Sequence, residues 1–158
     1  MKGFDYSENG TYFITICTEK RKKVLCDIVR QGLAPADIKL TEFGKIAERH
    51  IKNISVRYSS CEINNYVIMP NHIHIVLFLN IYTAGASPCP TVSDIICSFK
   101  SITTIECRKN GLDSEKLFQT SFYDHIIRNE EDYRNHYTYI ESNPSKWQED
   151  EYYKNPEA

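Results

Sequence analysis

Tyr66-Val67-Ile68-Met69-Pro70-Asn71-His72-Ile73-His74-Ile75-Val76-Leu77-Phe78 is an apolar, β-branched run interrupted once, by Pro-Asn. Two strands joined by a tight turn account for it, one over Cys61–Met69 and one over His72–Leu79. Side chains of a strand alternate between its faces, so Ile73, Ile75 and Leu77 share the side that can enter a core, and His72 and His74 share the other. Two imidazoles on one face make half of a metal site. A hydrogen-bonded pair on a sheet is the commoner meaning of an isolated His-x-His, and the remaining sequence has to decide between them.

The 158 residues fit a single domain spanning 1–158, large enough to bury a core without covalent staples. With 41% hydrophobic and 25% charged residues, the composition excludes wholesale disorder. The six cysteines form no Cys-x-x-Cys pair, and no secretory leader or long apolar span is present. Free thiols, a cytoplasmic location and no membrane partner are therefore expected. A formal charge of −2 argues against a globally basic coat for nucleic acid. The charge is uneven, however, with an acidic tail at about 148–158 and one dense basic cluster, Lys20-Arg21-Lys22-Lys23. Such a cluster serves equally as a solvated turn or as a phosphate contact.

Gly10–Thr18 reads as a first strand, closed by the basic cluster. Residues 24 to 40 read as a loop with Gly32 and Pro35. Thr41 to Asn53 is helical, with Thr41 as cap and Phe43, Ile46, Ala47, His50 and Ile51 along one stripe. Residues 80 to 91 form a flexible connection rather than a domain boundary. A long helix begins at Thr91 or Ser93 and stops at Asn110-Gly111, carrying Lys100, Arg108 and Lys109 as solvated charges. Residues 122 to 128 form another strand. Asn129 caps a last helix, whose first-turn Glu130, Glu131 and Asp132 suit the positive end of its dipole. That helix ends near Asn143, because Pro144 disfavours α geometry before it.

The order strand, helix, two-stranded hairpin, helix, strand is that of an α+β, ferredoxin-like fold: an antiparallel sheet with helices on one face. The histidines then lie on the other face, toward the last helix. In that helix Tyr133, Tyr137 and Ile140 form the expected buried stripe, while Asp132, Asn135, His136, Tyr139 and Asn143 take the polar side. Tyr139 and Asn143 are one turn apart, so a phenol and a neutral amide are neighbours. His125 and His136 are spare acid-base groups whose simpler role is hydrogen bonding.

Several ordered segments resemble the single-tyrosine, His-hydrophobic-His transposases, in particular the REP-associated tyrosine transposases. They are Gly10–Thr18, Tyr66–His74, Ser98-Phe99-Lys100-Ser101, Tyr123–Asn129 and Tyr139–Trp147. The resemblance implies that His72, His74 and Asn143 hold a divalent metal, Mg²⁺ or Mn²⁺. It also implies that Tyr139 is the catalytic nucleophile, cleaving single-stranded DNA beside a hairpin through a 5′-phosphotyrosine. Relatives of this kind occur as monomers or homodimers. Phe118-Gln119 departs from the family's usual Trp-Gln, with an aromatic packing role expected to survive. Two other functions are open to the same fold: an inactive module that binds single-stranded nucleic acid, and a metal-dependent hydrolase that activates water. Metal dependence separates the first from a transposase, and protein-linked DNA separates the second.

Overall fold

The computed structural model describes residues 10–29, 36–80 and 90–153. Six strands and three α-helices follow in the order β1 (Gly10–Cys17), β2 (Cys26–Val29), β3 (Asp37–Leu40), α1 (Glu42–Arg57), β4 (Cys61–Ile68), β5 (His72–Leu79), α2 (Val92–Lys109), β6 (Tyr123–Ile127) and α3 (Glu130–Ser142). The main sheet is antiparallel with strand order β4-β5-β1-β6. Counting its four strands in sequence gives the order 2-3-1-4, which is the ferredoxin-like arrangement expected from the sequence. The remaining pair, β2 and β3, forms a small hairpin in the stretch anticipated as a loop. Gly32 and Pro35 of the loop expected over 24–40, and residues 81–89 of the connection expected over 80–91, lie outside the described residues.

Alternation along β1 and β5 divides the apolar residues between two cores. Tyr12, Ile14, Ile16, Ile73, Ile75 and Leu77 pack with Ile46, Ile51, Ile95, Ile96 and Phe99 from α1 and α2. Phe13, Val67 and Val76 face the other way and pack with Ile140 and Trp147. Phe118 is buried and packs on Phe99, the aromatic role expected of it.

Local chemistry sets the helix ends. The Thr41 hydroxyl accepts from the Gly44 amide at 3.1 Å, satisfying one of the free first-turn donors of α1. The Leu25 carbonyl comes so near that a Cβ on Gly44 would stand 2.0 Å from its oxygen, which is why glycine occupies the first turn. In α2, Thr91 and Asp94 form a reciprocal capping box, and Gly111 follows Asn110 at φ 101°, open to glycine without strain.

Two expectations need correction. Helix α1 continues one turn beyond Asn53, because Ile54 adds to its buried stripe. Lys100 is not a solvated charge: its ammonium donates to the carbonyls of Gln119 (2.8 Å) and Thr120 (2.7 Å), tying α2 to the segment before β6. The acidic segment, read from the sequence only as a tail, packs on the body of the fold around residue 150. A 3-10 turn over Pro144–Glu149 buries Trp147 and brings the chain back onto the sheet. The basic cluster folds over this return, with the Arg21 guanidinium 5.2 Å from the Tyr152 ring and the Lys23 ammonium 4.7 Å from that of Tyr153.

Candidate active site

Register alone puts the polar residues of several strands side by side. His74 on β5 lies opposite Val67 on one side and Thr15 on the other, and Thr15 lies opposite Tyr123. His72 is opposite Cys17 at the end of β1. Directly opposed side chains share a sheet face, so His72, His74, Thr15 and Tyr123 all face α3 and the returning segment. The half-exposed pair that the motif alone permits is not what forms: His72 is 0% and His74 2% exposed.

Burial makes the hydrogen atoms of these rings countable. Asn71 donates from its Nδ2 to the Tyr152 carbonyl at 2.7 Å, leaving Oδ1 to face His72 Nδ1 at 2.8 Å. An amide oxygen only accepts, so Nδ1 carries the proton and Nε2 carries a lone pair. His74 Nδ1 stands 2.8 Å from the Thr15 hydroxyl; when that hydroxyl accepts, His74 takes the same tautomer. Burial holds both rings neutral, pulling the His74 pKa down to about 3 and that of His72 well below its usual value. The His72 and His74 Nε2 atoms and Asn143 Oδ1 are all buried without a hydrogen-bond partner. The ring centroids are 4.6 Å apart.

Asp150 closes this group. Its side chain is cut off from solvent, with Oδ2 3.7 Å from His72 Nε2. The carboxylate accepts from Asn143 Nδ2 at 2.9 Å and from the Tyr152 amide at 2.8 Å. The first of these bonds fixes the Asn143 amide with its oxygen turned the other way. Buried acceptors facing one another across a carboxylate are costly unless a cation joins them. The donor set of two imidazoles, an amide oxygen and a nearby carboxylate fits a divalent metal. Asp150 is a carboxylate near the histidines that the sequence reading did not name.

Tyr139 stands over the pair from α3. Its ring centroid is 5.2 Å from that of His74 and 6.1 Å from that of Phe13, and the residue is 38% exposed. Tyr137, two residues earlier, points away. It stacks on Tyr133 and is 40% exposed, so the buried stripe expected from Tyr133, Tyr137 and Ile140 reduces to Ile140. Tyr139 opens on a cavity of about 410 Å³ walled by Phe13, Tyr123, His136 and Tyr152. Burial raises its pKa above the usual phenol value, the Asp150 and Glu151 carboxylates add to that, and a hydrogen bond with Asn143 opposes it.

Thr15, Asn71, Asp150 and Tyr152 were not anticipated from the sequence. For Asn71 a signal existed, since an asparagine between a proline and a histidine is set to hold that histidine's ring. Asp150 sits in an acidic run like any solvated tail, and only the turn at Trp147 brings it home.

The family model for "Transposase IS200 like" proteins matches residues 6–143, almost the whole chain. The chain belongs to that family. It is therefore a transposase, an enzyme that cuts and rejoins DNA strands. It is 30% identical to the REP-associated tyrosine transposase of Escherichia coli K12 over 142 residues, covering 89% of this chain and 70% of that one. An uncharacterized Haemophilus influenzae protein is 29% identical over 168 residues, 97% of this chain and 90% of the other. Among solved structures, a REP-associated tyrosine transposase bound to a REP hairpin matches with a TM-score of 0.65 and 25% identity, over 93% of this chain and 74% of that chain. A protein from Deinococcus radiodurans R1, 17% identical with a TM-score of 0.54, shares the fold over 90% of this transposase and 96% of its own chain.

Proposed function

We propose that this transposase cleaves and rejoins single-stranded DNA beside a hairpin, using Tyr139 as nucleophile and a divalent ion, Mg²⁺ or Mn²⁺, held by His72, His74 and Asn143. The observation that carries the reading is the trio of partnerless buried acceptors, His72 Nε2, His74 Nε2 and Asn143 Oδ1, beneath a partly exposed tyrosine one helical turn from Asn143. A hairpin substrate is suggested by the relative whose structure holds a REP hairpin. We place the reaction in the cytoplasm, the reducing compartment that suits the free cysteines.

When bound, the ion polarises the scissile phosphate and offsets the charge that develops on its oxygens. The chain's own residues do the rest. Tyr139 Oη gives up its proton and bonds to phosphorus, the bond to the 3′ oxygen breaks, and that oxygen leaves as a hydroxyl while the 5′ end stays on the tyrosine. A 3′-hydroxyl attacking the same phosphorus reverses the step, so rejoining needs no nucleotide hydrolysis. Thr15 and Asn71 keep the ring protons on Nδ1 and so keep both Nε2 lone pairs aimed inward. Asp150 adds negative charge, which favours a hard divalent ion over the two imidazoles alone.

The test is a denaturing gel of the protein with Mn²⁺ and a labelled single-stranded hairpin from the flanks of its own gene. A covalent protein–DNA species is expected, and Tyr139→Phe should abolish it while the fold, read by circular dichroism, is kept. An adduct that persists in Tyr139→Phe and disappears in Tyr137→Phe would overturn the assignment. Hairpin binding unaffected by chelator, with no adduct, would instead point to a DNA-binding module.

A further inference from the structure

A second cluster of metal-ligating side chains lies outside the site just described. His125 on β6 is opposite Phe13 in the sheet register and so shares the face of His74. It meets α3 at its first turn, where its Nε2 is 2.8 Å from Asp132 Oδ2. One helical turn on, His136 Nδ1 is 3.1 Å from Asp132 Oδ1. The two imidazoles lie side by side, centroids 4.7 Å apart and 23° from parallel, with the carboxylate between their nitrogens. One ligand atom from each of the three residues lies within 4.8 Å of the others. We propose that His125, Asp132 and His136 form a second metal site, for a borderline divalent ion such as Zn²⁺ or Co²⁺, that clamps α3 to the edge strand β6.

The chemistry of the set decides the class of ion. Two imidazoles and one carboxylate are the donors of three-ligand zinc sites, which keep a further position for water or an exogenous oxygen. Donor atoms on one tetrahedral Zn²⁺ with bonds near 2.0–2.2 Å stand roughly 3.3–3.6 Å apart, so the spacings of 2.8 and 3.1 Å, which run to the two different oxygens of Asp132, open by a few tenths of an ångström, and the widest donor separation, within 4.8 Å, closes by up to about an ångström. The ion takes the place of the protons that now bridge the carboxylate to the rings. His136 also gives up the hydrogen bond from Nδ1 to the Asp132 carbonyl, 2.8 Å long. The side chains are between about a fifth and two fifths exposed, enough for an ion to enter and too little for the rings to turn away freely.

The position gives the clamp a consequence for catalysis. Among the described residues β6 is an edge strand paired only with β1, and α3 carries Tyr139 one turn after His136. His136 packs on Phe13 at 4.6 Å, and Phe13 stacks on His74 at 5.0 Å. An ion on Asp132 and His136 therefore fixes the helical face from which Tyr139 projects, without touching the reacting atoms. This second site does not rest on the reading of His72, His74 and Asn143.

Metal counting separates the two sites. Equilibrium dialysis against Co²⁺ is expected to load one ion more on the wild-type chain than on His125→Gln/His136→Gln, with Asp132→Asn likewise losing one. The half-exposed positions of these residues let the variants fold, and circular dichroism checks it. The absorbance of the lost equivalent should be that of imidazole-bound Co²⁺. As a second readout, Zn²⁺ should shift the ring resonances of His125 and His136 in the wild-type nuclear magnetic resonance spectrum. Equal stoichiometry in wild type and the double variant, or Zn²⁺ that leaves both rings unshifted, would overturn the second site. Loss of an ion on His72→Ala alone would bear only on the other one.

Discussion

Replacing Thr15 by valine keeps the shape of the side chain and removes one hydroxyl. Thr15 is 3% exposed, and its Oγ1 meets His74 Nδ1 at 2.8 Å in a place water does not reach. In the valine variant His74 has two poor choices. If the proton stays on Nδ1, a buried donor is left without a partner, which costs about 1–3 kcal/mol. If it moves to Nε2, it occupies the lone pair that the metal needs. The first choice lowers stability and the second weakens Mn²⁺ binding, and loss of such a ring-orienting partner is worth about 10–100-fold in affinity. Isothermal titration with Mn²⁺ reads the second effect, and urea unfolding without metal reads the first. Thr15→Ser, which keeps the hydroxyl, should restore most of the affinity while losing a methyl group from the packing. Wild-type Mn²⁺ affinity in Thr15→Val would show that the tautomer of His74 is not set by Thr15, and the lone-pair argument for the site would fail with it.

Asp150→Asn should move two quantities in opposite directions. Removing a buried negative charge that faces imidazole lone pairs stabilises the metal-free protein in urea, whereas Mn²⁺ affinity falls; a fall in both would mean that Asp150 acts only through its hydrogen bonds to Asn143 and Tyr152. Stability should also depend on pH through His72 and His74. Both have folded pKa values below the unfolded value of about 6.5, so the unfolded chain binds more protons in mild acid. Their contribution is complete above about pH 6.5 and is lost as pH falls from there toward the folded values, roughly 3 kcal/mol for the pair by pH 5.5. Urea midpoints at pH 7.5 and 5.5 measure it, and a metal-free protein equally stable at both would contradict neutral buried rings.

The parts of the fold that follow from periodicity were legible in the sequence. Alternation over Ile73, Ile75 and Leu77 told which face of β5 enters the core, and capping residues Thr41, Thr91 and Asn129 told where the helices begin. The pair β2 and β3 was not legible, because four-residue strands with two or three exposed side chains carry almost no alternating signal. Tyr137 was misjudged for a related reason. An i, i+4, i+7 stripe marks a buried face only along a helix fully covered by its neighbours, and α3 is covered only near Ile140.

For the site the dividing line is between residues adjacent in sequence and residues joined by the fold. His72, His74, Tyr139 and Asn143 fall into two short motifs, and spacing alone places each pair. What makes the histidines acceptors is supplied from elsewhere: Thr15 by the β1–β5 register, the Asn71 amide by a carbonyl 81 positions away at Tyr152, and Asp150 by the turn at Trp147. None of these partners is spaced at a helical or strand period from its histidine. The aromatic cover follows the same logic. Tyr152 packs 4.4 Å from His72 because Asn71 and Asp150 anchor its backbone on either side, so the segment that reads as an acidic tail is held by the very residues that orient the site. Of its carboxylates, Asp150 is turned inward toward the two imidazoles, where the proposed cation would give it a partner, while Glu149 and Glu151 stay exposed.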